Sequence, residues 1–309
     1  MLHQIQGLHH VTAMASGAVA NNAFFTRLLG LRRVKKTVNF DAPDVYHLYY
    51  GDEAGRPGTL ATYFPFGDIG PRRKGVGEVG ETRFSVPKDA LPFWAERLAH
   101  AGVDDLRSAE AFGEERLTFL GPDGDEFALV AVEGDDRTPW TGSGVPEEAA
   151  IRGLHGVGLR LAQAGPTAEL LTFLGYETEG QEGAVTRLRR AGGNGAEVVE
   201  IEALPDARRA VPGAGTVHHV AFAVADKAAQ AEVRRAIAAT GYQVTPPIDR
   251  DYFWAIYFRT PGGVLFEVAT DEPGFARDEA PAHLGEGLML PPQHAHLRET
   301  LERRLEPIA

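Results

Sequence analysis

Leu8-His9-His10-Val11-Thr12 opens the first strand that can be read in the chain, and the same doublet returns as Val217-His218-His219-Val220. Eleven histidines in 309 residues would yield only about 0.4 adjacent pairs by chance. Each doublet follows an aliphatic residue, precedes a valine and opens a strand that leads into a helix. After the first doublet, Phe24, Phe25, Leu28 and Leu29 fall at helical spacing, predicting a helix over Asn22 to Leu29 that Gly30 closes. Strands are expected at Val45 to Tyr50 and Thr59 to Phe64. After the second doublet, a helix is expected over Lys227 to Thr240, stopped by Gly241. Strands then follow at Phe253 to Arg259 and Val264 to Thr270, joined by the turn Pro261-Gly262-Gly263.

Two further segments repeat this order without a doublet. One has a strand at Glu81 to Val86, a helix at Leu91 to Ala101 ended by Gly102, and a last strand at Glu126 to Val132. The other has a strand at Gly153 to Leu161, a helix near Thr167 to Leu174 stopped by Gly175, and a last strand at Glu197 to Glu202. The polar, Gly- and Pro-containing run Asp135 to Ala149 reads as a linker. The expected organisation is a first pair of modules over 5–135, a second pair over 150–270, and a tail over 271–309 with a helix from about His294 to Leu305.

The histidine pairs are candidates for metal binding, because neutral imidazole is the commonest protein metal ligand. A third ligand is offered by Pro261-Gly262-Gly263-Val264-Leu265-Phe266-Glu267-Val268. Glu267 lies within an apolar strand, where a carboxylate is costly unless paired or metal-bound. A buried ion pair with Arg259 or Arg250 is the other reading. In Pro122-Asp123-Gly124-Asp125-Glu126-Phe127-Ala128 the same frame carries Ala128 at that place, so the strand does not need the carboxylate to fold. Two histidines and one carboxylate form the facial triad of non-heme Fe(II) oxygenases, and the set His10, His219 and Glu267 would serve Mn(II) as well.

Composition narrows the partners. A net charge of −12 repels phosphate backbones, so no nucleic-acid partner is expected. With no cysteine, disulfides, Cys-ligated zinc and iron–sulfur clusters are excluded. No run approaches a membrane span, and Met1 to Gly7 carries no basic leader, so a cytoplasmic location without membrane contact is expected. A homo-oligomer is left open.

The four strand–helix–strands segments resemble the βαβββ module of the vicinal oxygen chelate superfamily, which includes glyoxalase, bleomycin-resistance proteins and extradiol dioxygenases. That resemblance implies an α+β fold of four modules curled into two half-open mixed β-barrels. The match to ring-cleaving dioxygenases that open hydroquinones is carried by Leu8-His9-His10-Val11-Thr12, Tyr46-His47-Leu48-Tyr49-Tyr50 and Gly58-Thr59-Leu60-Ala61-Thr62-Tyr63-Phe64-Pro65. It continues through Arg250-Asp251-Tyr252-Phe253, Tyr257, Arg259-Thr260-Pro261-Gly262-Gly263 and Asp271-Glu272-Pro273-Gly274-Phe275. It implies O₂-dependent cleavage of a hydroquinone or catechol-like aromatic diol at a ferrous ion, with His10, His219 and Glu267 as ligands. Thr12, His218, Arg250 and Tyr257 would then surround the substrate. A glyoxalase-type isomerase or lyase, or a metal-free small-molecule binding protein, is the alternative on the same fold. A glyoxalase would usually show a second carboxylate ligand, and Thr62-Tyr63-Phe64-Pro65 supplies none.

Residue by residue, the bland roles stay open. Thr12 shares a strand face with His10. His218 points away from His219 on a regular strand and reaches the same pocket only across a bulge or barrel rim. Arg250 could instead pair with Asp249 or Asp251, and Tyr257 could simply pack. The remaining histidines, His47 among them, are read as structural or surface residues. In many four-module relatives the third and fourth modules hold the metal, which would use His155 with His219 and Glu267; separately, Glu200 could join His155 in a second site. Because His10 belongs to the doublet that the fourth module repeats, a site between the first and fourth modules is expected instead.

Overall fold

The computed structural model describes residues 1–308. The first module runs β1 (Leu8–Ala15), α1 (Ala18–Ala23), β2 (Arg32–Val38), β3 (Tyr46–Gly51) and β4 (Leu60–Pro65). The second runs β5 (Glu78–Pro87), α2 (Leu91–Ala101), β6 (Arg107–Ala111), β7 (Glu114–Leu120) and β8 (Glu126–Val132). The third runs β9 (Gly153–Leu161), α3 (Gly165–Phe173), β10 (Glu177–Glu182), β11 (Val185–Arg189) and β12 (Val198–Ala203). The fourth runs β13 (Val217–Val224), α4 (Lys227–Ala239), β14 (Ile248–Asp249), β15 (Phe253–Arg259) and β16 (Leu265–Pro273). Each is therefore a βαβββ unit, and the α+β fold is the expected one.

Two eight-stranded sheets result, ordered β14-β15-β16-β13-β1-β4-β3-β2 and β10-β11-β12-β9-β5-β8-β7-β6. The first joins modules one and four through the antiparallel pair β1–β13, and the second joins modules two and three through β5–β9. Each sheet thus draws strands from both halves of the chain. Within every module the first and last strands run parallel, with the helix as crossover. Alternation along β1 and β13 decides which side chains meet. Val11, Ala13, Val220 and Phe222 enter the main core with Phe84, Trp94, Phe127 and Leu159. On the opposite face, Ala221 joins a smaller cluster with Tyr49, Tyr252, Phe253 and Phe275. Complete burial of each large apolar side chain contributes about 1.5–3 kcal/mol.

Three local expectations shift. The first helix begins at Ala18 and then widens into a π-helical turn over Phe24–Leu28, where Leu29 N–H bonds the Phe24 carbonyl. The extra residue of that turn lets Phe24 and Phe25 both be buried, which a regular period hides. The C-terminal helix α5 is confined to Arg298–Arg304, because a 3₁₀ turn over Pro292–Leu297 precedes it. The run Asp135 to Ala149 is irregular but packed, with Trp94 Nε1 donating to the Ala149 carbonyl at 2.7 Å.

The tail crosses back onto the first sheet. Lys35, fully buried on β2, donates to Asp278 at 2.6 Å and Glu279 at 2.5 Å. Tyr46 OH donates to the Glu306 carbonyl, and His294 Nε2 to the Phe40 carbonyl. Among the described residues no helix is long and apolar enough to cross a membrane.

Candidate metal centre

Both histidine doublets lie on β-bulges. In the β1–β13 register Leu8 faces Phe222 and His10 faces Ala221, so His9 is the extra residue on β1. Thr12 faces His219 and Ala13 faces Val217, so His218 is the extra residue on β13. A bulge re-aims a side chain that alternation would send to the opposite face. The two rings of each doublet therefore meet, with Nδ1···Nδ1 separations of 2.9 Å for His9–His10 and 2.8 Å for His218–His219.

This leaves the outer nitrogens of His10 and His219 facing each other across the strand pair, 3.2 Å apart at Nε2. Glu267, on β16 beside Ala221, places Oε2 2.9 Å from His219 Nε2 and 3.6 Å from His10 Nε2. Ligands about 2.1 Å from a common ion, held at right angles, stand roughly 3.0 Å apart. The three separations match an open triad of that kind, and all three residues are buried.

The electrostatics fit the same use. Burial pushes His219 down to about 3, and pushes His10 down despite the opposing pull of Glu267. Both imidazoles are accordingly neutral at pH 7, as a ligand must be. Glu267 is fully buried, and neither of its carboxylate oxygens takes a well-formed hydrogen bond, the Tyr257 hydroxyl on the neighbouring strand being the donor at hand. Arg259 is exposed and bonds the Gly263 carbonyl, and Arg250 engages Tyr257 and Asp41. An orphaned carboxylate between two neutral imidazoles is the donor set of a divalent cation. If Nε2 is the ligand atom, Nδ1 carries the proton, so His10 donates to His9 and His219 to His218. His9 in turn hydrogen-bonds the Thr270 backbone. Each doublet then supplies a ligand together with the group that orients it.

A cavity of about 450 Å³ opens beside the triad. His10, His219 and Glu267 line it, as do the expected His218, Tyr257 and Arg250. The Arg250 guanidinium bonds Tyr257 Oη at 3.2 Å through Nε, lies over the Phe40 ring, and sits 3.6 Å from Asp41. Among the described residues Asp251 pairs with Arg277 instead, and Asp249 forms no ion pair with Arg250. Thr12 is placed differently. It is fully buried, and its hydroxyl meets Thr62 at 2.7 Å rather than the cavity. Thr62 also meets His47 Nε2 at 2.9 Å, and Tyr49 OH meets His47 Nδ1 at 2.9 Å.

His47 and Tyr49 both line the cavity, which sequence reading missed for His47. Their two-residue spacing on β3 puts them on one face, the one signal available. Phe40 was missed as well. It reaches the cavity from the loop after β2.

The second sheet shows what the same frame becomes without a metal. Its β5–β9 register has the same two bulges, at Gly80 and His155. Matching the strand registers places Glu81, Gly156 and Glu200 where His10, His219 and Glu267 stand. His155 thus corresponds to His218, not to a ligand. A Cβ on Gly156 would lie 2.2 Å from the Val198 carbonyl, so no histidine fits there. Guanidinium groups fill the centre: Arg83 spans Glu81 and Glu200, while Arg116 and Arg187 bond Glu200. His155 instead faces Glu114 at 3.3 Å.

Comparison with known proteins agrees with this architecture. The family model described as the Glyoxalase/Bleomycin resistance protein/Dioxygenase superfamily matches residues 7–268. MhqO of Bacillus subtilis (strain 168), provisionally named a ring-cleaving dioxygenase, is 43% identical over 308 residues, covering 99% of this chain and 98% of the relative. The chlorohydroquinone/hydroquinone 1,2-dioxygenase of Sphingobium indicum is 35% identical over 317 residues, covering 99% and 98%. The crystal structure of a Bacillus subtilis protein provisionally described as a dioxygenase superposes with a TM-score of 0.95 at 43% identity, covering 99% of this chain and 98% of that one. Glyoxalase I from Zea mays shares the fold, with a TM-score of 0.64 at 14% identity over 86% of this chain and 92% of its own.

Proposed function

This chain belongs to the Glyoxalase/Bleomycin resistance protein/Dioxygenase superfamily, and we propose that it is a non-heme Fe(II)-dependent, extradiol-type ring-cleaving dioxygenase acting on a hydroquinone or catechol-like aromatic diol. The observation that carries this reading is the buried His10–His219–Glu267 triad opening onto a largely aromatic cavity with one cation. Relatives named for ring cleavage support it.

A ferrous ion held there, or Mn(II), would supply the redox contact between dioxygen and the deprotonated diol. The chain's own groups do the rest. Arg250 presents positive charge to a phenolate oxygen, and Tyr257, whose hydroxyl it bonds, is kept protonated by burial and by the Glu267 charge. With Nδ1 accepting from His219, His218 turns an N–H toward the cavity and can clamp a substrate oxygen. Phe253, against both His9 and His10, walls the ligands from water.

The isomerase alternative lacks a ligand. Thr62 on β4 is the counterpart of Glu267 on β16, and its hydroxyl is already engaged by Thr12 and His47. The test is oxygen consumption by Fe(II)-loaded protein over a hydroquinone and catechol panel. One O₂ per ring opened is expected. Full turnover under strict anaerobiosis would overturn the reading in favour of an isomerase, and binding without turnover or metal would favour sequestration.

A further inference from the structure

We propose that the preferred substrates are hydroquinones bearing a bulky apolar ring substituent, such as a branched alkyl or a second aromatic ring. The inference rests on the dioxygenase reading of the same site. A cavity of about 150 Å³ holds benzene, and small ligands such as O₂ or water need about 30 Å³ each. The cavity beside the triad measures about 450 Å³, so a bare hydroquinone with its oxygen ligands leaves roughly half of it unfilled.

Apart from Asn39 and Asp41, the wall away from the triad and its polar neighbours is apolar. Met14, Phe40, Phe64, Phe66 and Leu265 line the cavity, and all five are only partly buried. Large apolar side chains left partly exposed around one opening mark a surface that a ligand covers. They come from separate places: β1, the loop after β2, the end of β4 and its following turn, and the start of β16. The Phe40 wall is further held from outside by the His294 bond to its carbonyl.

Charge argues against a polar substituent. The lining holds one arginine, and Arg250 already has Tyr257 on one side and Asp41 at the mouth. A carboxylate or sulfonate on the ring would meet Asp41 and a chain of net charge −12. An apolar group can instead pack on Met14, Phe40, Phe64, Phe66 and Leu265.

The experiment compares hydroquinone, methylhydroquinone, tert-butylhydroquinone, phenylhydroquinone and carboxyhydroquinone as substrates of the metal-loaded enzyme. In parallel, calorimetry measures binding of the corresponding ortho-substituted phenols, which lack the second hydroxyl. Each methylene buried should tighten binding about fourfold. The tert-butyl and phenyl compounds should therefore exceed hydroquinone at least tenfold in kcat/KM and in affinity. Phe66→Trp and Met14→Phe, which fill the space, should cut the phenyl-to-unsubstituted ratio at least tenfold. Equal or weaker binding of the bulky phenols, or a best rate with carboxyhydroquinone, would overturn the inference while leaving ring cleavage intact. If no diol is turned over at all, the dioxygenase reading itself fails, and the phenol affinities still decide the shape of the cavity.

Discussion

Glu267→Gln separates the two roles a buried carboxylate can have, because they predict opposite signs. In the structure the carboxylate is fully buried, its oxygens take no well-formed hydrogen bond, and its near neighbours are the neutral rings of His10 and His219 and the Tyr257 hydroxyl. Without metal this is an uncompensated charge, whose desolvation costs about 1–3 kcal/mol or more. The isosteric amide removes the charge and keeps the shape, so metal-free E267Q should be about 1–3 kcal/mol more stable than wild type. With metal the order reverses. Removing one partner of a buried charge pair costs about 3–5 kcal/mol, which weakens metal binding on the order of 10²- to 10⁴-fold. At a free metal concentration of 100 times the wild-type Kd, the wild type gains about 2.7 kcal/mol of stability, and the variant less than about 0.5 kcal/mol. Urea unfolding in chelator and at fixed Mn(II), with calorimetric titration of the metal, reads both quantities. Destabilised metal-free E267Q with unchanged metal affinity would refute the argument and return Glu267 to a structural ion pair.

Other expectations follow from the same geometry. Arg250→Ala should mainly raise KM for the diol, by roughly tenfold or more as a charged hydrogen bond is lost, while Tyr257→Phe should mainly lower kcat; steady-state kinetics with wild-type values in both would show the substrate contacts misplaced. His9→Phe should weaken metal binding about 10–100-fold without touching the ion, checked by metal titration. In the second sheet, Arg83→Met should leave metal content unchanged yet cost about 1–3 kcal/mol of folding stability, since Glu81 and Glu200 lose a shared guanidinium while Arg116 and Arg187 still hold Glu200; unfolding curves and elemental analysis test both halves. Burial holds His9 and His218 down to about 4 and His219 to about 3, with His10 and His47 also lowered from 6.5. Their unfolded forms take up protons first as pH drops, so the metal-free protein should be most stable above pH 6.5. It should weaken as pH falls toward 4, by up to about 1.4 kcal/mol per pH unit for each of the buried His9, His10, His47 and His219 and by less for the exposed His218, which unfolding at pH 7, 5.5 and 4.5 measures.

The ligand types were legible because residue chemistry and repetition are local properties. A recurrent His-His at a strand start and a glutamate inside an apolar strand stand out against their neighbours, and the module's helices end at glycines. Edge strands were less legible. The run Arg32-Arg33-Val34-Lys35-Lys36 looks like solvated surface, yet β2 is mostly buried, because Asp278 and Glu279 arrive from the far end of the chain to neutralise Lys35. His47 looked unremarkable because its partners, Thr62 and Tyr49, are recruited by strand pairing and alternation on β3 and β4.

By itself, then, the sequence determined the βαβββ repeat, the absence of thiolate ligands, and the two kinds of donor the chain offers a metal, since these depend on side-chain chemistry and short-range period. The repeated doublet pointed to the first and fourth modules; tertiary structure decided how those two copies meet, and that register makes the site. Only when β1 pairs with β13 do two bulges 209 residues apart turn His10 and His219 onto one point beside Glu267. The same frame closed by β5 and β9 gathers Glu81, Gly156 and Glu200 around arginines instead. Register and bulge placement are set by long-range hydrogen bonding, which no local stretch of the chain encodes.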